Sequence, residues 1–153
     1  MTPESIAEAV EAERAYAASQ VFRGGDRLSA LPRLHVLLDQ LSALSGARDV
    51  EQVNISQDYA RSSAPLLDFY LRKKDSTFPR DVVRLLRISL AKSPSEEGIV
   101  CKGVYEGVTL RIQGYLPDSC AVVYETVEVP AHMEKRAKVV CAKPVEEVNG
   151  DAD

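Results

Sequence analysis

Tryptophan is absent from this chain, and methionine and histidine occur only twice each. The three cysteines, Cys101, Cys120 and Cys141, form an odd and widely spaced set. A secreted disulfide framework shows a dense, even count, so none is expected here. Nor does a positively charged segment precede an apolar run at the acidic, alanine-rich start of the chain, as a signal peptide would require. No apolar run approaches the ~18 residues of a spanning helix. These absences place the chain in the cytoplasm, with no membrane partner. Catalytic signatures are missing too. There is no Gly-rich phosphate loop, no H-E-x-x-H and no G-x-S-x-G, and Gly24-Gly25 stands alone. The chain therefore leans away from enzymes, and no cofactor is expected. Internal repeats and low-complexity segments are also absent.

What is present is a chain of 153 residues, 45% hydrophobic and 27% charged, the size and balance of one domain. Its net charge of −4 argues against whole-body attraction to nucleic acid or anionic membrane. The charge is graded, however. Residues 1–22 carry −3, residues 23–92 carry +4 and residues 93–153 carry −5. The middle of the chain is its basic part.

Within that part, Pro79–Lys92 reads PRDVVRLLRISLAK, and the spacing predicts a central helix. Arg80, Arg84 and Arg87 recur at i, i+4 and i+7 and would form one cationic stripe. Apolar residues such as Val82, Val83, Leu86 and Leu90 would bury the remaining circumference. Thr2-Pro3-Glu4 predicts a capped first helix running to about Phe22, where Gly24-Gly25 would end it. A second helix is expected over Leu31–Ser45, stopped by Gly46. Ser63-Ala64-Pro65 repeats the cap-then-proline pattern and predicts a third helix closing in Arg72-Lys73-Lys74. Residues 47–62 are ambiguous, with a lean to helix or irregular structure.

Beyond Gly98 the pattern alternates. Val100, Val104, Val108, Leu110 and Ile112 share a parity across a tight turn at Tyr105-Glu106-Gly107. A strand follows over Cys120–Val129, then a charged connection over Pro130–Arg136 and a strand over Ala137–Ala142. The expected fold is α+β: a helical amino-terminal half of about four helices, then a three- to four-stranded antiparallel sheet. One domain would cover residues 1–145, with residues 146–153 an acidic flexible tail.

Seven bases, Arg72, Lys73, Lys74, Arg80, Arg84, Arg87 and Lys92, make the sharpest candidate binding site. The expected use is as a non-catalytic interaction module, in which a basic helix face binds a protein partner or a second copy. The short, alanine-rich style suits a bacterial or phage accessory protein. Nucleic acid is the alternative partner, because two helices, an arginine stripe and a hairpin follow the element order of a winged helix-turn-helix. Against it, the supposed wing turn carries Glu106 where a phosphate would want a base. A zinc site from Cys101, Cys120, His132 and Cys141 lacks any C-x-x-C knuckle, and these cysteines read as small buried hydrophobes in strands. A cysteine nucleophile paired with His132 or His35 lacks an orienting acid. His35 itself reads as a surface or hydrogen-bonded helix residue.

Overall fold

Thr2 opens α1 (Pro3–Ser19) as its cap-then-proline signature predicts: its hydroxyl accepts from the Ser5 N–H at 3.1 Å while Ser5 Oγ accepts from the Thr2 N–H. The computed structural model describes residues 1–20, 24–129 and 132–142. After α1 come α2 (Gly24–Ser42), a 3₁₀ turn (Ser45–Asp49), β1 (Val50–Asp58), a second 3₁₀ turn (Tyr59–Arg61) and β2 (Ala64–Leu71). Then follow α3 (Phe78–Leu86), β3 (Ala91–Ser95), β4 (Gly98–Tyr105), β5 (Val108–Tyr115), β6 (Cys120–Val129) and β7 (His132–Cys141). The first five strands form one mixed sheet in the order β1-β2-β5-β4-β3, and β6 and β7 form a separate two-stranded ribbon. Among the described residues no helix is long and apolar enough to cross a membrane.

This corrects the expected architecture. The described residues contain three α-helices rather than about four, and the sheet has five strands, with β2 and β5 running parallel. The helix expected after Ser63-Ala64-Pro65 is strand β2. Ser62 and Ser63 both take left-handed backbone (φ 54° and 60°), which an N-cap does not. The strand is central, so its Leu66, Leu67, Phe69 and Leu71 are buried. Burial on both faces erases alternation and leaves a short apolar run of ambiguous period. Residues 50–58, expected to be helical or irregular, are strand β1.

The central helix is also shorter than expected. It closes at Leu86, with Arg87 as a left-handed C-cap (φ 55°) whose N–H donates to Val83 O. Leu85 is exposed, so the helix buries one face, through Phe78, Val82, Val83 and Leu86, rather than most of its circumference. Gly24, expected to end the first helix, instead begins the second. The strand expected over Ala137–Ala142 is β7, which begins at His132, inside the expected connection; Pro130, Ala131 and the expected acidic tail lie outside the described residues.

Register explains how the sheet divides its two faces. Val53, Phe69 and Ile112 lie side by side on β1, β2 and β5, as do Ile55, Leu67 and Leu110. These rows join Leu34, Leu38 and Leu41 of α2 and Phe78 and Val82 of α3 in the hydrophobic core. On the opposite face, Asn54, Asp68, Arg111 and Lys102 form a polar row across four strands. The hairpin turn at Glu106-Gly107 (φ 47° and 81°) has two residues, the connection favoured between antiparallel strands. A two-residue turn sets Tyr105 opposite Val108, so Val104 shares its row with Thr109 rather than with Leu110, contrary to the single parity expected from sequence.

Gly46 marks where α3 meets the rest of the domain. A Cβ there would stand 2.5 Å from the Phe78 backbone nitrogen, too close for any side chain. Its N–H donates to Asp81 Oδ2 at 2.9 Å, and Thr77 Oγ1 donates to the same oxygen. α2 ends at Ser42, ahead of Gly46, so the residue expected to stop that helix instead seats the start of another.

Candidate functional site

The seven bases do not form one stripe. Arg80 and Arg84, one turn apart, share a face of α3, but Arg87 leaves the helix in its left-handed cap. Arg72, Lys73 and Lys74 occupy the exposed loop between β2 and α3, and Lys92 lies on β3. Arg72 Nη2 donates to Arg48 O at 2.7 Å. Arg80 and Lys92 also have partners of their own.

Four of the seven stand apart. Lys73, Lys74, Arg84 and Arg87 are exposed, and their side chains form no hydrogen bond or ion pair with a described residue. Arg33, Arg48 and Lys135 are likewise exposed without a side-chain partner among the described residues, but several other cations are paired. Arg27 pairs with Glu13, Lys102 with Asp58, Arg111 with Asp68 and Arg136 with Glu134.

Two of those pairs organise the polar face of the sheet. Asp68, 4% exposed, accepts from Arg111 Nη2 at 2.6 Å and from Gln113 Nε2, and Tyr70 Oη donates to it. Asp58 accepts from Thr109 Oγ1 at 2.9 Å and from the Ala60 N–H, and Lys102 Nζ lies 3.4 Å away. Burial pushes the Asp58 carboxyl up, but the bonds from Thr109, Lys102 and Ala60 outweigh it, and the group titrates below the usual carboxylate range. A carboxylate held low in the fold binds its proton later than in the unfolded chain. Its contribution is therefore complete above the ordinary carboxylate range and is lost as pH falls through the folded value. We expect urea midpoints to drop as pH falls through and below the ordinary carboxylate range, and Asp58→Asn to flatten that acid limb.

A third polar element was not singled out from sequence. Arg27 of α2 grips Glu13 of α1 in a bidentate pair, with Nη2 2.6 Å from Oε2. Its guanidinium also lies 4.4 Å from the centre of the Tyr16 ring. The hydrogen bonds that Arg27 donates to Glu13 raise its pKa against the opposing effect of burial. The pair forms part of two hollows beside β1, of about 140 and 350 Å³, which share Ile55, Ser56 and Gln57. The larger lies between α1 and β1, with Tyr16 and Tyr59 at its rim. Nothing in the spacing of a lone acid at Glu13 reveals an arginine partner fourteen residues on.

The cysteines also differ from expectation. Cys120 and Cys141 are joined in a disulfide that closes the base of the β6–β7 ribbon, so neither is a plain buried thiol or a free thiolate for zinc. Cys101 is fully buried on β4, and burial pushes its thiol up to about 12, which suits a core residue and not a nucleophile. His35 is half-exposed on α2, 3.9 Å from Asp39. Among the described residues no cluster of three or more groups could hold a metal ion. No protein-family model matches the chain, and no curated protein or solved structure does so either.

Proposed function

We propose that this chain is a non-catalytic interaction module that meets an anionic surface on a protein partner, or on a second copy of itself, through the cations around α3. The observation that carries this reading is the division of charge just described. Lys73, Lys74, Arg84 and Arg87 stay exposed without an acid from the described chain and gather on and beside α3, whereas Arg27, Lys102, Arg111 and Arg136 are matched by its own carboxylates. Arg72, Arg80 and Lys92 widen the positive field. The exposed acids Glu4 and Glu8 of α1 give a second copy a complementary face. The winged-helix alternative loses its premise, since the segment before α3 is a strand and not a helix. Cytoplasmic residence would hold Cys120 and Cys141 as thiols; the disulfide fits an oxidising compartment better.

The test is a titration with poly-glutamate and a measurement of self-association by light scattering, both at low and moderate salt. Binding or association that weakens with salt is expected. Arg84→Glu/Arg87→Glu should weaken it at least about tenfold with the melting temperature nearly unchanged. If that variant unfolds, these arginines serve internal structure. If neither poly-glutamate nor a second copy binds at low salt, the proposal fails. A labelled DNA duplex that binds tightly at low salt would restore the nucleic-acid alternative.

A further inference from the structure

The β6–β7 ribbon stands outside the five-stranded sheet and meets it chiefly where β7 packs against β3. Each of its strands has ten residues, paired from Cys120–Cys141 at the base to Val129–His132 at the far end. Of the side chains described between the two cysteines, none is buried. Tyr124 and Met133 stand exposed on one face, and Val123 and Val140 on the other. Val139, close to the base, is the ribbon residue that packs against the hydrophobic core.

A lone two-stranded ribbon is marginally stable in water at best, and needs a third strand or a packed face to persist. Among the described residues no third strand pairs with this one, and neither face is covered beyond the base. What remains is covalent. Cys120 and Cys141, the first residue of β6 and the last of β7, lie directly opposite each other and are joined. Beside them the Ala142 N–H donates to Ser119 O at 2.7 Å. A cross-link at that point holds the two strands together by limiting the open ensemble.

The bond also lies where a thiol can reach it. Cys141 borders a hollow of about 270 Å³ between β3 and β7, lined as well by Lys92 and Lys138. Ammonium groups beside a sulfur favour its thiolate, the form in which it leaves during disulfide exchange. Cys101 differs in being fully buried on β4, which makes it an internal reporter on the sheet.

We propose that the Cys120–Cys141 disulfide is a redox latch on the ribbon. Closed, it keeps β6 and β7 paired. Opened by a dithiol, it releases residues 121–140 from strand pairing while the five-stranded sheet stays folded. In the first step a thiolate of the dithiol attacks Cys141 Sγ, the S–S bond breaks, and Cys120 leaves and takes up a proton. The second thiolate then closes the dithiol into its own disulfide and displaces Cys141, which is protonated in turn. The dithiol is oxidised by two electrons and the two cysteines are reduced.

The test treats the protein with dithiothreitol in the absence of denaturant. One portion is alkylated with iodoacetamide and the other followed by amide hydrogen exchange. Cys120 and Cys141 should alkylate and Cys101 should not. Ribbon amides bonded across the ladder should exchange at least about tenfold faster, with β2 and β5 unchanged. Oxidised dithiothreitol should restore the slow exchange. Cys120→Ser/Cys141→Ser should exchange fast in the ribbon without any reductant and should not respond to oxidant. The proposal is overturned if the disulfide survives the dithiol, or if the ribbon stays protected in the reduced protein or in the serine variant. Alkylation of Cys101 at the same rate overturns it too, because the sheet would then open along with the ribbon.

Discussion

Arg27→Ala should destabilise the protein by about 3–5 kcal/mol, the cost of leaving one member of a buried ion pair without its partner. The side chains of Arg27 and Glu13 are only 10% and 5% exposed, so water entering by the adjoining hollows replaces the lost bonds only in part. Glu13→Ala should cost a comparable amount, because it strands the guanidinium instead. The double variant Glu13→Leu/Arg27→Met should recover most of the loss, since apolar side chains of similar volume remove the stranded charge along with the bonds. Urea denaturation of the wild type and the three variants measures each loss and the recovery. A loss below about 1 kcal/mol in both single variants would show that the pair is open to water, as surface pairs are.

The pair matters for α1 in particular. Along its buried side that helix offers Ile6, Val10, Glu13 and Ala17, and a stripe with so few large apolar residues contributes modest hydrophobic stabilisation. Glu13 lies in the middle of it and reaches across to α2. Breaking the pair should therefore loosen α1 before the sheet, and faster hydrogen exchange in residues 6–17 than in β2 or β5 would show it.

Local signals in the sequence were legible where they acted alone. Thr2-Pro3 caps α1 as its residue types require, Leu34, Leu37, Leu38 and Leu41 form the buried face of α2, and Glu106-Gly107 makes the turn between β4 and β5. The misreadings share a cause. Ser63-Ala64-Pro65 has the composition of a helix start, but β2 is central, and tertiary burial overrides the local signal. Arg87 has the spacing of a helix stripe, yet it ends the helix, because spacing alone cannot show which residue turns left-handed. The polar row Asn54-Asp68-Arg111-Lys102 and the Glu13–Arg27 pair join residues far apart in the chain. Such pairings depend on register, which periodicity within one segment does not encode. The basic cluster was visible as composition, but which of its members lack acidic partners could only be seen once the chain was folded.

The register of β2 also sets the second large effect. Phe69→Ala should cost about 3–5 kcal/mol. Phe69 is fully buried, flanked by Val53 and Ile112 on the neighbouring strands, and its ring meets Phe78 edge-on with centroids 5.3 Å apart. Phe78 opens α3, so this contact ties the crossover helix to the strand that precedes it. A double-mutant cycle with Phe78→Leu should give a coupling of about 0.5–1.5 kcal/mol, the usual range for such aromatic pairs. An alanine scan then separates strand from helix over this segment. In a strand, Leu67, Phe69 and Leu71 share the core face, and Tyr70, half-buried on the polar face, should tolerate alanine better than Phe69. In a helix, Leu67 and Leu71 would instead group with Leu66 and Tyr70, and Phe69 would be the mild position. A loss at Phe69 smaller than that at Tyr70 would overturn the placement of β2 as an interior strand of the sheet, and with it the polar row on the opposite face.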